Sequence, residues 1–153
     1  EGGIRVPWIA HWPAVIAPGR ESTQQCLTMD WTATLLDAAG VAAHPDYPLD
    51  GVSLLPVLRA PGQEFARPVH FRMNHRGQRA LRDGDWKYLR VDGHDYLFNI
   101  PADERERANV GGRQPARLAE LRAAWEAWNA TMPAIPEDAT VSLGYSVKDM
   151  PQR

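Results

Sequence analysis

Two Asp-Gly pairs, Asp83-Gly84 and Asp92-Gly93, separate short apolar runs in the middle of the chain. Asp-Gly between two strand-like runs is the preferred composition of a tight hairpin turn, so each pair is expected to join adjacent antiparallel strands. Ahead of them, apolar and polar residues alternate over 69–73, the period-two pattern of a half-buried strand. These features predict a four-stranded antiparallel meander with strands at 69–73, 79–82, 85–91 and 96–100.

The segment after this meander predicts a long helix from Pro115 to Met132. Its large apolar side chains recur every three or four residues, which places five of them on one helix face: Leu118, Leu121, Trp125, Trp128 and Met132. Proline suits the first helical position, Pro133 ends the helix, and Arg122 with Glu126 forms an i,i+4 pair on the polar side. Because a buried tryptophan covers ~150–250 Å², this face is expected to hold the helix against the sheet.

The front of the chain carries a different pattern, richer in Pro and Gly. Val6–Trp12 is a nearly continuous apolar run, which predicts a short strand covered on both faces, as in an α/β sheet whose other strands are not expected here. Asp30 is predicted to cap a helix that ends before Gly40. The sequence thus predicts an α+β chain in three parts: a strand-and-helix remnant of a larger α/β domain at 1–62, a small α+β subdomain at 63–133, and an extended tail at 134–153.

Composition excludes several classes of function. Lys+Arg 17 against Asp+Glu 19 gives a net charge of −2, without the cationic excess of a nucleic-acid-binding protein. No apolar run approaches the ~20 residues that span a bilayer, so no membrane partner is expected. The one cysteine, Cys26, rules out an intramolecular disulfide framework and a multi-cysteine zinc site. The chain starts at Glu1 with neither Met nor a signal peptide, so the sequence assigns no compartment, cytoplasmic or secreted.

Few residues of the sequence are candidates for substrate binding, catalysis or metal ligation. His75 and Arg76 lie on the connection between the first two predicted strands, and an imidazole beside a guanidinium suits anion recognition, so these two are the predicted substrate-binding residues. The polar residues of His44–Asp50 lie in a loop without the convergence that a metal site needs. Cys26 has no neighbouring positive charge to activate it. The acidic run Asp103–Glu106 resembles a solvated helix cap. No catalytic residue and no metal ligand is predicted.

Several short motifs follow one another in an order that is specific as a series. The front half contains Glu-Gly-Gly-Ile-Arg-Val-Pro at 1–7, Trp-Pro at 12–13, Pro-Gly at 18–19, Thr-Leu-Leu-Asp-Ala-Ala-Gly at 34–40 and Leu-Asp-Gly-Val-Ser-Leu-Leu-Pro at 49–56. The back half contains Ala-Leu-Arg-Asp-Gly-Asp-Trp-Lys-Tyr at 80–88, Leu-Phe-Asn-Ile at 97–100 and Asp-Glu-Arg-Glu-Arg-Ala-Asn-Val at 103–110. In this order they resemble the later part of the sulfatase family, over residues 1 to about 132.

The resemblance implies a parent enzyme of the alkaline-phosphatase-like α/β superfamily that hydrolyses sulfate esters. Such enzymes use a formylglycine made from Cys or Ser in a Cys/Ser-x-Pro/Ala-x-Arg motif, with calcium held by Asp and Asn oxygens. The hydrated aldehyde supplies an oxygen nucleophile, and the metal neutralises developing charge. Here Cys26 is followed by Leu27-Thr28-Met29-Asp30, without the Pro or the Arg, so it is not the modified cysteine.

The resemblance also places the metal ligands and a substrate-contacting lysine of the family ahead of Glu1. We therefore expect a C-terminal fragment that lacks the catalytic centre and holds no cofactor itself. Its role would be to close or support the substrate pocket of the parent enzyme. The expected partners are the N-terminal catalytic part of the same polypeptide and, for the parent, a sulfate ester.

Two alternatives stay open. In the first, the chain is a fragment of a phosphonate or phosphate monoester hydrolase of the same superfamily, which shares the Glu-Gly-Gly-x-Arg and Asp-Gly-x-Ser-Leu motifs. In the second, it is a self-associating module that forms homo-oligomers through the Val6–Trp12 run and exposed apolar surface. The missing nucleophile motif would discriminate the first alternative, and light scattering the second.

Overall fold

A computed structural model of the chain describes residues 2–136, 139 and 150, apart from the side chain of Arg76. The chain forms two compact units, Val6–Phe65 and a second that joins the residues up to Arg5 to those from Ala66 onward. The first unit contains helices α1 (Asp30–Ala38) and α2 (Leu55–Arg59). The second contains strands β1 (Val69–Arg72), β2 (Arg79–Asp83), β3 (Trp86–Val91) and β4 (His94–Asn99), and helix α3 (Pro115–Asn129).

The predicted meander is confirmed: the four strands form one antiparallel sheet in the order β1-β2-β3-β4. Asp83 pairs with Trp86 and Val91 with His94, so each hairpin has a two-residue turn. In the second turn both Asp92 (φ 49°) and Gly93 (φ 80°) adopt the left-handed region. That is the conformation of a type I′ turn, whose twist matches the twist of the paired strands and which favours Asp-Gly.

Helix α3 covers one face of this sheet, as its apolar stripe predicts. Leu121 and Trp125 are buried in a core with Leu81, Tyr88 and Leu97 of the strands, and Leu118 and Trp128 pack against its edge. Pro115 occupies the start of the helix, and the predicted Arg122–Glu126 ion pair forms at 3.1 Å. The helix ends at Asn129 rather than at Met132, because residues 130–132 already follow turn geometry ahead of Pro133.

The opposite face of the sheet holds a second core, formed by Val91, Tyr96, Phe98 and Ile100. Beside it, the buried ammonium of Lys87 pairs with the carboxylate of Glu106. The prediction of a solvated helix cap at Asp103–Glu106 is therefore wrong. No helix begins at this run, since the next element is α3 at Pro115. The Ala108 N–H instead donates to the Asp103 carboxylate at 2.8 Å and lowers the pKa of that carboxyl. Glu106 turns inward because Lys87 needs a counter-charge when it is buried.

In the first unit, Asp30 does not cap α1 as predicted. Asp30 is instead the first residue of the helix, Met29 occupies the N-cap position, and no side chain makes a capping hydrogen bond there. The fully buried Asp30 carboxylate instead accepts hydrogen bonds from the N–H groups of Leu27 at 2.6 Å and Val52 at 3.0 Å, which joins two loops. Gly40 (φ 66°) does end the helix as predicted, donating its N–H to Asp37 in the pattern of a Schellman C-cap.

The predicted strand at Val6–Trp12 is absent from the structure: residues 6–12 have no regular secondary structure, and no described residue pairs with them. A strand exists only through ladder hydrogen bonds to a neighbour, so an apolar run without partner strands stays irregular. Val6 and Ile9 are exposed there. The predicted tail at 134–153 lies mostly outside the described residues. None of the helices in the described ranges is long and apolar enough to span a membrane.

One histidine of the sheet makes the stability of this unit depend on pH. His70 of β1 stacks on Trp128 with ring centroids 4.7 Å apart. Its burial lowers the pKa of His70, an effect that the Asp83 carboxylate opposes. The unfolded chain therefore binds this proton at a higher pH than the folded chain does. Stability contributed by neutral His70 is present above the unfolded pKa of about 6.5, and it is lost as the pH falls from there through the lower folded pKa.

We expect the melting temperature to decrease between pH 7.5 and pH 5.5, and the decrease to be smaller in His70→Gln, which has no group to protonate there. Calorimetry of both proteins at several pH values measures this difference. Parallel pH dependence in the two proteins would show that His70 does not contribute.

Candidate functional site

The predicted site residues lie on one tight turn between β1 and β2. His75–Gly77 forms a single turn of 3-10 helix, with Gly77 in the left-handed region at φ 58°. The Met73 N–H donates to the Gln78 carbonyl at 2.9 Å and closes the loop. His75 is half-buried, and Arg76 is on the same turn, its side chain outside the described part. The structure thus brings the two residues together, and their contact with substrate stays a prediction.

A groove of about 340 Å³ lies beside this turn, between the ends of β1 and β2 and the C-terminal end of α3. The sheet side contributes Arg72, Met73, Gly77, Gln78 and Arg79. The helix side contributes Trp125, Asn129 and Ala130, and the following segment adds Met132, Pro133, Ala134 and Ile135. Residues on both sides of the turn and residues at the end of α3 therefore share one concave surface. We refer to it as the β1–β2 groove.

Arginines dominate the charge of the sheet near this groove. The strand register pairs Arg72 with Arg79 and Arg79 with Arg90, so three guanidinium groups cross β1, β2 and β3 in one row. The row ends at Asp95, which faces Arg90 across β3 and β4 and pairs with it at 3.5 Å. Arg122 of α3 reaches the same carboxylate at 3.4 Å. Asp95 therefore neutralises the far end of the row.

Asp95 is also the partner of a buried tyrosine. The Tyr88 hydroxyl donates to Asp95 at 2.9 Å. Burial of the ring, together with this carboxylate, raises the pKa of Tyr88 to about 12. Tyr88 consequently stays neutral at physiological pH and acts as a hydrogen-bond donor that fixes Asp95. The carboxylate that compensates the row is thus held at β4, away from Arg72 and Arg79.

Arg72 and Arg79 are held in place without any carboxylate partner in the described ranges. Arg72 donates to the Asn129 side chain at 3.0 Å and to the Pro133 carbonyl at 2.9 Å. The Arg79 guanidinium lies over the Trp125 ring, 4.4 Å from its centroid. Its Nε is buried and makes no hydrogen bond to a described residue. The indole N–H of Trp125 donates to the Phe71 carbonyl at 3.0 Å, which fixes this platform.

Sequence reasoning missed Arg72 and Arg79 as candidate site residues. The alternation at 69–73 placed Arg72 in the polar phase of its strand, which is the phase expected to face solvent. Strand register, rather than sequence position, sets these two arginines opposite each other. The two Asp-Gly hairpins fix the register of β2, β3 and β4, and so predict that Arg79 faces Arg90. The longer connection over 73–78 carries no such signal for the register of β1, so the pairing of Arg72 with Arg79 needs the fold.

The described residues do not fit a metal or a formylglycine centre. No three of their His, Cys, Asp or Glu side chains come close enough together to hold a metal ion. Cys26 is half-buried, and its thiol donates to the Gln24 carbonyl at 3.3 Å. The residues after Cys26 lack the Pro and Arg of the modification motif.

Comparison with known proteins settles the family. A model of the C-terminal region of N-sulphoglucosamine sulphohydrolase matches residues 1–115. This chain belongs to the sulfatase family. Among curated proteins, it is 44% identical over 71 residues to the N-acetylgalactosamine-6-sulfatase of Canis lupus familiaris, an alignment that covers 46% of this chain and 13% of that protein. The resemblance deduced from the short motifs is confirmed.

Solved structures agree on the fold. Ps i-CgsB, crystallised with k-i-k-neocarrahexaose, superposes with a TM-score of 0.62 at 25% identity, covering 77% of this chain and 27% of that one. The phosphonate monoester hydrolase of Agrobacterium radiobacter superposes with a TM-score of 0.52 at 24% identity, covering 73% and 26%. The small α+β subdomain with its four-stranded sheet and long helix is thus an arrangement of this superfamily. Our sulfatase chain covers less than a third of the length of each of these relatives.

Proposed function

We propose that this chain is the C-terminal part of an enzyme that hydrolyses sulfate esters. The observation that carries the proposal is the family match over residues 1–115, together with the 44% identity to a curated sulfatase. The chain contributes a rigid sheet and helix to that enzyme and closes or supports one side of its substrate pocket. The turn with His75 and Arg76 is the part proposed to reach the substrate.

The reactive groups belong, in this proposal, to the N-terminal catalytic part of the same polypeptide. The 153 residues contain no Cys/Ser-x-Pro/Ala-x-Arg sequence, so a formylglycine nucleophile has no origin in them. Calcium, when bound in such an enzyme, would stabilise the charge that develops on the sulfuryl oxygens. The residues of this chain bind and position the substrate instead of reacting with it.

We expect the isolated chain to produce no 4-nitrophenol from 4-nitrophenyl sulfate, with or without calcium, because it lacks a nucleophile for the sulfuryl group.

In the enzyme that carries the chain, His75→Ala and Arg76→Ala should raise KM about tenfold and change kcat little, since loss of uniform binding raises KM alone. Initial rates measured by absorbance test both points. Calcium-stimulated hydrolysis by the isolated chain would refute the assignment.

The superfamily alternative is a phosphonate or phosphate monoester hydrolase, and the Agrobacterium radiobacter enzyme has the same fold. The choice rests on two ratios of kcat/KM, measured on the enzyme that carries the chain. They compare 4-nitrophenyl sulfate with 4-nitrophenyl phenylphosphonate and with 4-nitrophenyl phosphate. A ratio that favours the sulfate ester supports the proposal. A ratio that favours either phosphorus ester replaces it with the alternative.

A self-associating module is the second candidate, favoured by apolar side chains on the surface of the first unit. Val6, Ile9 and Leu35 are each more than half exposed there. Such surface promotes association between copies when nothing else covers it. Light scattering on the isolated chain distinguishes the two: a stable oligomer supports the module, and a monomer at micromolar concentration opposes it.

A further inference from the structure

We propose that the β1–β2 groove binds one oxyanion group, a sulfate or a carboxylate, of an anionic saccharide. The proposal rests on the proposed function, and the choice of a saccharide follows the names of two relatives, an N-acetylgalactosamine-6-sulfatase and Ps i-CgsB in complex with k-i-k-neocarrahexaose. Recognition of the oxyanion rests on the geometry of the groove. Its volume of about 340 Å³ lies at the lower end of the ~300–1,000 Å³ of small-molecule sites, which is suitable for a single sugar unit.

The charge balance of the groove calls for an anion. Arg72 and Arg79 are direct partners across the antiparallel β1–β2 pair. Like charges in directly opposed positions destabilise a sheet, and no described carboxylate lies within 4.0 Å of either. The nearest acidic residue in the row, Asp95, already serves Arg90, Arg122 and Tyr88. An anion placed between the two guanidinium groups would relieve this repulsion.

Both arginines are also preorganised. Arg79 is stacked on Trp125, and that ring is itself anchored through its N–H to Phe71. Arg72 uses one N–H on Asn129 and another on Pro133. A guanidinium has five N–H donors in a planar fork, so both side chains retain donors for an oxyanion after these contacts. Fixed donors lose less conformational entropy on binding than mobile ones do.

A purely structural role accounts for one of the arginines only. Arg72 donates to a carbonyl just beyond the end of α3, where a cation stabilises the helix dipole. Arg79 makes no hydrogen bond to any carbonyl in the described part of the chain, and its Nε is buried without an acceptor. Stacking on Trp125 explains its position, but an aliphatic or aromatic side chain would fill the same space without introducing a charge. The uncompensated charge of Arg79 is what the oxyanion explains.

Titration of the 153-residue chain tests the proposal directly. The ligands are sodium sulfate, N-acetylgalactosamine 6-sulfate, glucuronate and uncharged N-acetylgalactosamine, each at constant ionic strength, with binding followed by calorimetry and by the indole N–H resonance of Trp125. Saturable binding of the three anions without binding of the neutral sugar supports the proposal. Binding of the sulfated sugar without glucuronate would identify the oxyanion as a sulfate. Binding of glucuronate without the sulfated sugar would identify it as a carboxylate. Absence of binding by all three anions overturns it.

Two variants locate the site. Arg79→Gln should weaken binding of every anion that binds about tenfold or more, because a charge-assisted hydrogen bond is lost. Arg113→Gln removes the same charge from an exposed position ahead of α3 and should leave binding unchanged. The helix start at Pro115 is about 15 Å from Trp125, at 1.5 Å per helical residue. Equal affinities in the two variants would overturn the site.

If Arg79→Gln unfolds, as circular dichroism would show, Arg79→Lys replaces it. That variant keeps the charge and removes the planar fork, and weaker binding again supports the site, whereas unchanged binding opposes it. Neither measurement involves turnover. Failure of the groove therefore leaves the hydrolase assignment standing, and failure of hydrolysis leaves the groove to be judged on binding alone.

Discussion

Glu106→Gln is expected to lower the free energy of unfolding of this chain by about 3 kcal/mol. The substitution keeps the size of the side chain and the left-handed backbone of residue 106 (φ 54°), and it removes only the charge. The side chain of Lys87 is 5% exposed and that of Glu106 is 15% exposed. The substitution therefore removes the carboxylate that pairs with a buried ammonium. The measurement is urea unfolding followed by far-ultraviolet circular dichroism.

The chain supplies a matched control two residues away. Glu104 forms an ion pair with Arg5 at 3.0 Å, and the two side chains are 64% and 61% exposed. Because solvent screens such a pair, Glu104→Gln should change stability by less than about 1 kcal/mol. In the double variant Lys87→Met with Glu106→Gln, most of the lost stability should return, since neither position then carries a buried charge. Equal losses from Glu104→Gln and Glu106→Gln would contradict the argument.

The parts of this fold that sequence predicts well are those with local chemical signals. The Asp92-Gly93 turn needs two residues in the left-handed region, and few other dipeptides supply them. The stripe that includes Leu121 and Trp125 has the helical period and no competing strand pattern. Turn and stripe together fix a four-stranded meander covered by one helix, because each apolar face must be buried against another.

The failed predictions concern residues whose role is set by distant groups. Asp30 sits where a helix cap is expected, yet its carboxylate bonds Val52, 22 positions further along the chain. Glu106 was placed in a solvated run, yet it pairs with Lys87 on a strand. The Val6–Trp12 run has the composition of a buried strand, but pairing partners decide whether a strand forms. Local pattern cannot report tertiary contacts of this kind.

The candidate site also contains residues that the sequence predicts and residues that it does not. His75 and Arg76 were identified because a polar connection between strands is a common place for binding residues. Arg72 and Arg79 were not, since a polar residue in a strand usually faces water. Their pairing follows from the register of β1 and β2, and their position beside α3 follows from the stacking of Arg79 on Trp125. Both facts require the fold before the residues can be recognised.

Gly51→Ala is expected to cost the first unit about 3 kcal/mol or more, at the upper end of overpacking effects. A Cβ at this position would lie 2.2 Å from the carbonyl oxygen and 2.5 Å from the carbonyl carbon of Met29, and 2.9 Å from the nitrogen of Asp30. These are backbone atoms, so no side-chain rotation relieves the clash. The displacement would also pull Val52 away from the buried carboxylate of Asp30, which leaves polar groups unsatisfied.

Hydrogen exchange read by mass spectrometry measures this effect locally. Peptides that cover α1 and residues 50–55 should lose protection in Gly51→Ala. The control is Gly112→Ala, because a Cβ at Gly112 meets no atom within 4 Å and its φ is not in the left-handed region. That control should change stability by no more than about 0.5 kcal/mol, as surface substitutions do. Equal protection of α1 in the two variants would mean that the close approach of residue 51 to Met29 does not hold the two loops together.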